Sequence, residues 1–257
     1  MTNSPSEARP ASSHAPQSAD LAVDVREKGA PRDGQPQVMN RRLFMQLVVT
    51  EAAEPTEQLA TRVGESVVRR GARVVVYEDV NHPHSVAVLS WSEDPAAFVE
   101  SVRPGLLDPS LGRLEIRDSL TMLGRTYSTG YESDLEYWLL RRPIETVLNP
   151  EWPWAVWYPL RRSGAFEALE PREKGAILRE HADIGKAYGA ANLAHDVRLA
   201  CHGLDANDNE FVIGLIGAEL HPLSHVVQRM RSTRQTSQYI AQMGPFFVGR
   251  AAFRHGG

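Results

Sequence analysis

The two halves of the chain show the same predicted order of secondary-structure elements. In the first half, hydrophobic periodicity and turn residues predict strands near 43–49, 73–77, 85–91 and 114–123, with helices near 56–70 and 95–102. The same order, β-α-β-β-α-β, recurs with strands near 155–160, 197–201, 211–216 and 246–248 and helices near 171–188 and 222–230. A repeated element order of this kind leaves few possible folds for the chain.

A β-α-β-β-α-β unit is the split, ferredoxin-like motif, an antiparallel sheet with both helices on one face. The bare face of each sheet needs an apolar partner. The sequence therefore predicts an α+β fold in which two tandem ferredoxin-like βαββαβ units form a dimeric α+β barrel within one chain, with a cavity between sheet and helices. The alternative is a single α+β domain whose element order repeats by coincidence.

The predicted domain organisation begins with a tail. Residues 1–38 are rich in Ser, Ala, Pro, Asp and Gly and have few large apolar side chains, so they bury too little surface to offset their ordering entropy and are predicted to be disordered. The first unit is then predicted over 39–145 and the second over 146–257.

Composition excludes several classes of function. The net charge of −4 carries no basic patch for nucleic acid, and the single cysteine, Cys201, excludes a disulfide framework or a cysteine-rich zinc site. No apolar run is long enough to span a bilayer. Arg41 and Arg42 resemble a twin-arginine export signal, but the apolar stretch 43–49 is short and suits a first strand, so a cytoplasmic location is expected.

His181 lies on the predicted apolar stripe of the helix near 171–188. The other members of the stripe are Ile177, Leu178, Ile184, Gly185 and Tyr188. The imidazole therefore points into the core or a cavity, where it needs a partner. Two interpretations stay open: a core histidine bonded to a backbone carbonyl, or a ligand of a large, flat group for which Gly185 leaves space. With a tyrosine on the strand before it, this arrangement suggests a haem site.

Tyr158 lies on the strand near 155–160, and strand alternation places it with Val156 and Leu160 on one face. A tyrosine in a cavity wall can donate a hydrogen bond or be oxidised by one electron. Arg161 and Arg162 follow, and guanidinium groups suit carboxylates such as haem propionates. The alternatives are a core tyrosine with its hydroxyl at the edge, and arginines that are simply solvated.

A third group of polar residues lies near the strand 197–201. Alternation places Asp196, Arg198 and Ala200 on one face and His195, Val197, Leu199 and Cys201 on the other. A polar residue on the cavity face here would lie over the side of the haem opposite His181. Metal-only chemistry is less favoured: His82 with His84, and His221 with His225, lack a carboxylate at ligand spacing.

Four motifs together resemble the chlorite dismutase superfamily, and most closely its coproheme decarboxylase branch, the hydrogen-peroxide-dependent haem synthases. They are Tyr-Pro-x-x-Arg at 158–162, Glu-His-x-x-Ile-Gly-x-x-Tyr at 180–188, Gly-Leu-Asp at 203–205 and Met-Arg…Tyr at 230–239. The resemblance runs from about 154 to 249. Before that only the element order agrees.

The resemblance implies a role for several residues. His181 corresponds to the proximal iron ligand, and Tyr158 to the tyrosine that forms a radical beside the reactive propionate. Arg162 and Thr236 stand where the branch anchors propionates. The family fold is the doubled barrel, usually assembled as a homopentamer. The resemblance implies that haem or coproheme binds in the second unit and none in the first, and that hydrogen peroxide is the partner.

The chain also departs from the family pattern. The segment 143–158 contains no histidine where the decarboxylases have a distal one. Chlorite dismutases carry a distal arginine on the strand before Gly-Leu-Asp, but here Ala194 or Asp196 occupies that place, and Arg198 and His195 are out of register. Chlorite dismutation is therefore not expected, the distal residue is open, and Arg198 is the candidate catalytic cation.

The leading hypothesis is a haem b-type enzyme that uses peroxide to decarboxylate coproheme propionates to protohaem. The first alternative is a specialised haem-dependent oxidase or peroxidase of a small organic substrate. The second is a non-catalytic haem-binding protein, or a haem-free barrel that acts as an interaction module.

Overall fold

The computed structural model describes residues 23–53 and 57–257, and its first feature is a hairpin of β1 (Glu27–Arg32) and β2 (Gln35–Met39). The predicted disorder of 1–38 is thus wrong for 27–38, whereas 1–22 lie outside the described residues. Gln37 explains the difference: its side-chain Nε2 donates to the backbone oxygens of Ala30 (2.6 Å) and Glu132 (3.0 Å), and its Oε1 accepts from Leu135 N (3.0 Å). The hairpin is held by polar contacts, and a prediction based on the number of large apolar side chains does not detect them.

The first unit follows the predicted order. Its elements are β3 (Phe44–Ala52), α1 (Leu59–Val68), β4 (Val74–Asp79), β5 (Ser85–Ser92), a π-helical turn (Phe98–Val102) that continues into α2 (Arg103–Leu106), β6 (Leu114–Ile116) and β7 (Met122–Arg125). The single strand predicted near 114–123 is two strands separated by a 3-10 turn, Asp118–Leu120. Antiparallel pairing gives the order β4-β5-β3-β7.

The second unit is preceded by a helical segment that the sequence analysis did not predict, Tyr137–Arg141 continuing into α3 (Arg142–Leu148). The unit itself contains β8 (Trp154–Arg162), α4 (Gly164–Glu167), α5 (Pro171–Ala190), β9 (His195–Ala200), β10 (Phe211–Gly217), α6 (Leu220–Arg231), a π-helical turn (Gln235–Tyr239), β11 (Ile240–Met243) and β12 (Phe247–His255). Its sheet order is β9-β10-β8-β12, with β11 also pairing β8.

The two sheets have the same strand order and close on each other. In each unit the second, third, first and fourth strands lie side by side, and β12 pairs with β4 while β9 pairs with β7. The predicted α+β fold of two ferredoxin-like units forming a barrel is confirmed. The barrel interior is filled by buried side chains of both units, among them Leu47, Tyr77, Leu89, Trp157, Leu199 and Phe247.

The helices cover the outer faces of the two sheets unequally. The crossover helix α1 of the first unit buries six residues, whereas its topological equivalent α5, twice as long, buries only Ile177. A separate apolar cluster between α5, α6 and the second sheet includes Val156, Tyr158 and Leu223. None of the helices within the described ranges is both long and apolar enough to cross a membrane.

Gly214 allows the barrel interior to close around an indole ring. It lies opposite Trp157 across the β8–β10 pair, and a Cβ at position 214 would stand 2.5 to 2.8 Å from three carbons of that ring. We expect Gly214→Ala to lower the free energy of unfolding by about 1–3 kcal/mol, because the fully buried ring has no space to move. Urea denaturation measures the change.

The control for this prediction is Gly164→Ala in α4, where an added Cβ meets nothing within 4 Å. Its effect should stay within about 1 kcal/mol, with any gain in stability arising because alanine restricts the unfolded chain. Equal stability of the two variants would contradict the packing role of Gly214.

Candidate functional site

The outer face of the second sheet brings three predicted polar residues into two adjacent rows. Tyr158, Ile213 and Arg198 lie directly opposite one another on β8, β10 and β9, so their side chains share one face. The next row on that face is Val156, Leu215 and Asp196. Since neighbouring strands lie roughly 5 Å apart, the backbones of Tyr158 and Arg198 are about 10 Å apart.

Tyr158 is buried beneath the helices, with 5% of its surface exposed. Its ring stacks on Phe246, with centroids 4.6 Å apart and an angle of 22° between the planes. Burial, and to a smaller extent the carboxylate of Asp196, raises the pKa of the Tyr158 phenol well above its ordinary value, while the charge of Arg231 opposes this. The phenol therefore keeps its proton at neutral pH.

His181 lies on α5, half-buried, and its Nδ1 is a buried atom without a hydrogen-bond partner among the described residues. Burial lowers the pKa of the imidazole, and the charge of Arg198 lowers it further, whereas Asp196 and Glu180 act in the opposite direction. At neutral pH the imidazole is neutral, which is the form that binds metal ions.

The same stripe of α5 leaves room beside His181. A Cβ added at Gly185, one turn further on, would meet only the Met230 Cε at 3.8 Å. Ile184 and Tyr188 are half-buried, whereas Leu178, which was predicted on the stripe, is 42% exposed. An unsatisfied imidazole nitrogen beside a glycine and apolar side chains fits a haem, because a large planar group needs an axial ligand and an apolar surface.

Asp196 is the centre of a charged cluster. Its Oδ1 is 2.7 Å from Arg142 Nη2 and its Oδ2 is 2.9 Å from Arg198 Nε. Burial alone would raise the pKa of Asp196, but the charges of Arg198 and Arg142, with the hydrogen bond from Arg142, hold it below its ordinary value. The carboxylate is therefore ionised at neutral pH.

Arg162 is already engaged at the end of β8. Its Nε lies 3.1 Å from Glu210 Oε2 and its Nη2 lies 3.6 Å from Glu167 Oε1, and its guanidinium lies over the rings of Phe166 and Phe211. A carboxylate ligand at Arg162 would have to share it with these acidic residues.

Thr236 is half-buried in the turn after α6, and its hydroxyl accepts from Thr233 Oγ1 at 3.3 Å. Within the described residues, no hydrogen bond joins Thr236 or Arg162 to Tyr158 or His181. Tyr158 and Arg198 thus share one row of the sheet face, and His181 lies on α5, the helix that covers this sheet. Arg162 lies at the end of β8 and Thr236 in the turn after α6.

Two contributors were missed by sequence reasoning. Arg142 belongs to the unpredicted helical segment, and its guanidinium lies 4.6 Å from the ring centroid of Trp138, four residues earlier. That i,i+4 spacing is the signal that could have indicated a helix. Arg231, exposed at the end of α6, is the other, and its charge lowers the pKa of the Tyr158 phenol against the effect of burial. His195, on the opposite face of β9, stacks on Trp152 with centroids 3.6 Å apart.

Comparison with known proteins identifies similar chains. Residues 114–252 match the chlorite dismutase family. A heme-binding protein from Thermus thermophilus has 17% identity and a TM-score of 0.64, covering 82% of this chain and 91% of its own. A mutant chlorite dismutase from Candidatus Nitrospira defluvii has 13% identity and a TM-score of 0.64, covering 84% and 93%. Among curated proteins, no sequence matches.

Proposed function

The chain belongs to the chlorite dismutase family, and from this premise we propose that it is a haem b-type enzyme that uses peroxide to decarboxylate coproheme to protohaem. The observation that carries the proposal is the half-buried imidazole of His181, whose buried Nδ1 has no hydrogen-bond partner among the described residues, on the helix that covers the sheet face with the protonated phenol of Tyr158. An enzyme of this kind needs an axial ligand and an oxidisable side chain close to the substrate's edge.

The proposed reaction balances with peroxide as the only oxidant. One propionate, one hydrogen peroxide and one proton give a vinyl group, one carbon dioxide and two waters. The bond between the carboxylate and the outer methylene breaks, and so does one C–H bond of the methylene attached to the ring. The electrons of these bonds form the vinyl double bond and reduce the peroxide. The bound iron porphyrin would supply the redox chemistry, and the chain supplies binding, orientation and proton control.

His181 would hold the iron through its neutral imidazole. Tyr158 would stand beside the reacting propionate as a group that can give up an electron and a proton, because its buried phenol stays protonated. The stacked Phe246 ring restricts its movement and excludes water from one side. Arg198 would be the catalytic cation of the sheet face.

Arg162 and Thr236 would orient propionates at the border of the site. The guanidinium of Arg162 lies near two aromatic rings and is paired to Glu210, which restricts its position but also neutralises part of its charge. A propionate that binds Arg162 would therefore share the guanidinium with Glu210, and would not simply displace water from it. Arg231 is a further cation near Tyr158 that could meet a carboxylate.

The experiment that tests this proposal is a peroxide titration of the purified protein reconstituted with coproheme, followed by mass spectrometry of the porphyrin. We expect each reacted propionate to lose one carbon dioxide and two hydrogen atoms, with two propionates converted at saturation. Coproheme of unchanged mass after peroxide addition to a fully loaded protein would refute the decarboxylase assignment.

The second candidate is a haem-dependent oxidase or peroxidase of a small organic substrate. The ion pair of Arg198 with Asp196 favours it. In this chain a charged pair on the outer sheet face would meet the oxidant, whereas the decarboxylases use a distal histidine, so a different substrate could be oxidised. Protohaem binding at least as tight as coproheme binding would support this candidate. A non-catalytic haem-binding role would instead give haem binding with neither activity. Assembly as a homopentamer and a cytoplasmic location remain part of the proposal.

A further inference from the structure

We propose that Glu132 is a specificity-determining residue. Its carboxylate cancels the excess positive charge of a polar cleft beside Arg198, so that neutral hydrogen peroxide enters this cleft in preference to an anion. The polar cleft is the space lined by Tyr127, Glu132, Trp138, Arg142 and Arg198. This inference rests on the proposed function, in which peroxide reacts on the sheet face that carries Arg198.

The polar cleft lies between β9 and the segment that joins the two units. Tyr127 and Glu132 follow β7, Trp138 and Arg142 belong to the helical segment before β8, and Arg198 lies on β9. The cleft has a volume of about 20 Å³, which is enough for a water-sized molecule. Hydrogen peroxide is little larger than water, so the cleft suits peroxide better than a bulky organic substrate.

The charges around the polar cleft add to zero. Arg142 and Arg198 bring two positive charges, and Asp196, whose carboxylate oxygens lie 2.7 Å from Arg142 Nη2 and 2.9 Å from Arg198 Nε, brings one negative charge. Glu132 brings the second negative charge, which acts on Arg198. Tyr127 adds no charge, because burial raises the pKa of its phenol. Without Glu132 the cleft would carry one excess positive charge and would attract anions.

The carboxylate of Glu132 is held at one position in the cleft wall. The residue is 7% exposed, and its Oε1 accepts from Thr129 N at 2.8 Å and from Thr129 Oγ1 at 2.7 Å. Its Oε2 accepts from Gly130 N at 3.0 Å. Because both oxygens are bonded, the negative charge stays at this place in the wall.

The N-terminal hairpin holds the backbone of Glu132. The carbonyl oxygen of Glu132 accepts from Ala30 N at 3.0 Å and from Gln37 Nε2 at 3.0 Å. Gln37 also donates to Ser133 O at 3.1 Å and accepts from Leu135 N at 3.0 Å. The hairpin therefore fixes the wall of the polar cleft from outside.

Fluorescence quenching of Trp138 in the apoprotein tests the charge of the cleft without haem. Iodide is an anionic quencher and acrylamide a neutral one, and the Trp138 ring lies 4.6 Å from the guanidinium of Arg142. The signal of Trp138 is obtained by subtracting the signal of Trp138→Phe in the same background. We expect Glu132→Gln to raise the iodide quenching constant about threefold and to leave the acrylamide constant within about 1.5-fold, because only the charge of the wall changes.

The matched control is Glu27→Gln. Glu27 Oε2 accepts from Ser128 N at 2.9 Å and its side chain is 12% exposed, so this carboxylate holds the same segment without lining the polar cleft. Its substitution should leave both quenching constants unchanged. An unchanged iodide constant in Glu132→Gln, or an equal rise for both quenchers, would overturn the charge role of Glu132.

Gln37→Ala tests the contribution of the hairpin. This substitution removes the hydrogen bonds to the cleft wall but leaves its charge, so the iodide and acrylamide constants should rise together. If neither constant changed, the hairpin would not be what fixes the wall.

A ligand measurement in haem-reconstituted protein connects the polar cleft with the iron. Azide is an anion at neutral pH and nitric oxide is neutral. We expect Glu132→Gln to lower the Kd of azide about fivefold and to leave the Kd of nitric oxide unchanged, both read from the absorption spectrum. An unchanged azide Kd would overturn the assignment of the cleft as the route to the iron. Selective quenching by iodide in a protein that binds no haem would instead keep the charge role of Glu132 and refute the proposed function.

Discussion

Tyr158→Phe is expected to lower the rate of coproheme decarboxylation by about 100-fold or more, the loss expected when a side chain that moves a proton in the reaction is removed. The phenol is buried, stacked on Phe246 and protonated at neutral pH, so the hydroxyl is the only part of the residue that the substitution removes. Affinity for coproheme should change little. Peroxide-driven turnover, followed by the mass of the porphyrin, measures the rate.

The matched control is Tyr77→Phe. Tyr77 is equally buried, with 1% exposure, but it lies in the barrel interior, and its hydroxyl has no partner within the described residues. Removing that hydroxyl should leave turnover within about twofold and should not destabilise the protein, because no hydrogen bond is lost. Full turnover by Tyr158→Phe, or an equal loss in both variants, would rule out the assigned role of Tyr158.

His181→Ala is expected to weaken haem binding by about 100-fold, because the axial ligand is replaced by a methyl group. The Soret band should shift toward that of ligand-free haem, and added imidazole should restore part of the native spectrum by entering the space beside Gly185. Haem titration followed by absorption spectroscopy gives the affinity of each variant.

His221→Ala serves as the histidine control. His221 is exposed at the start of α6, the helix that packs beside α5, and its substitution should leave haem affinity unchanged. If His181→Ala retained native affinity and spectrum, the iron would have to be held by another residue, and the assignment of the proximal side would be wrong.

The repeated element order was sufficient to predict the fold because both units use the same strand order and each leaves one bare apolar face. The faces of Tyr158 and Arg198 followed from strand alternation alone. The hairpin at 27–39 could not be predicted in this way, since the side-chain amide of Gln37 holds it through contacts with residues almost a hundred positions away.

The position of Arg198 and the ion pairs around it could not be predicted from the local sequence pattern. Alternation placed Asp196 and Arg198 on one face, but only the register of β8, β10 and β9 puts Arg198 in the row of Tyr158. The ion pair of Asp196 with Arg142 joins residues 54 positions apart, through a helix that was not predicted. In the sequence, Arg198 is out of register with the distal arginine of chlorite dismutases. The sheet pairing shows that Arg198 in this chain lies opposite Ile213, in the row of Tyr158.

The central claim is that His181 and the surrounding face of the second unit bind a haem. The most direct measurement is the absorption spectrum of the purified native protein during titration with coproheme and, separately, protohaem. The account predicts a new Soret band that saturates at one porphyrin per chain and is lost or shifted in His181→Ala. A native spectrum that stays the sum of free haem and protein throughout the titration would contradict it.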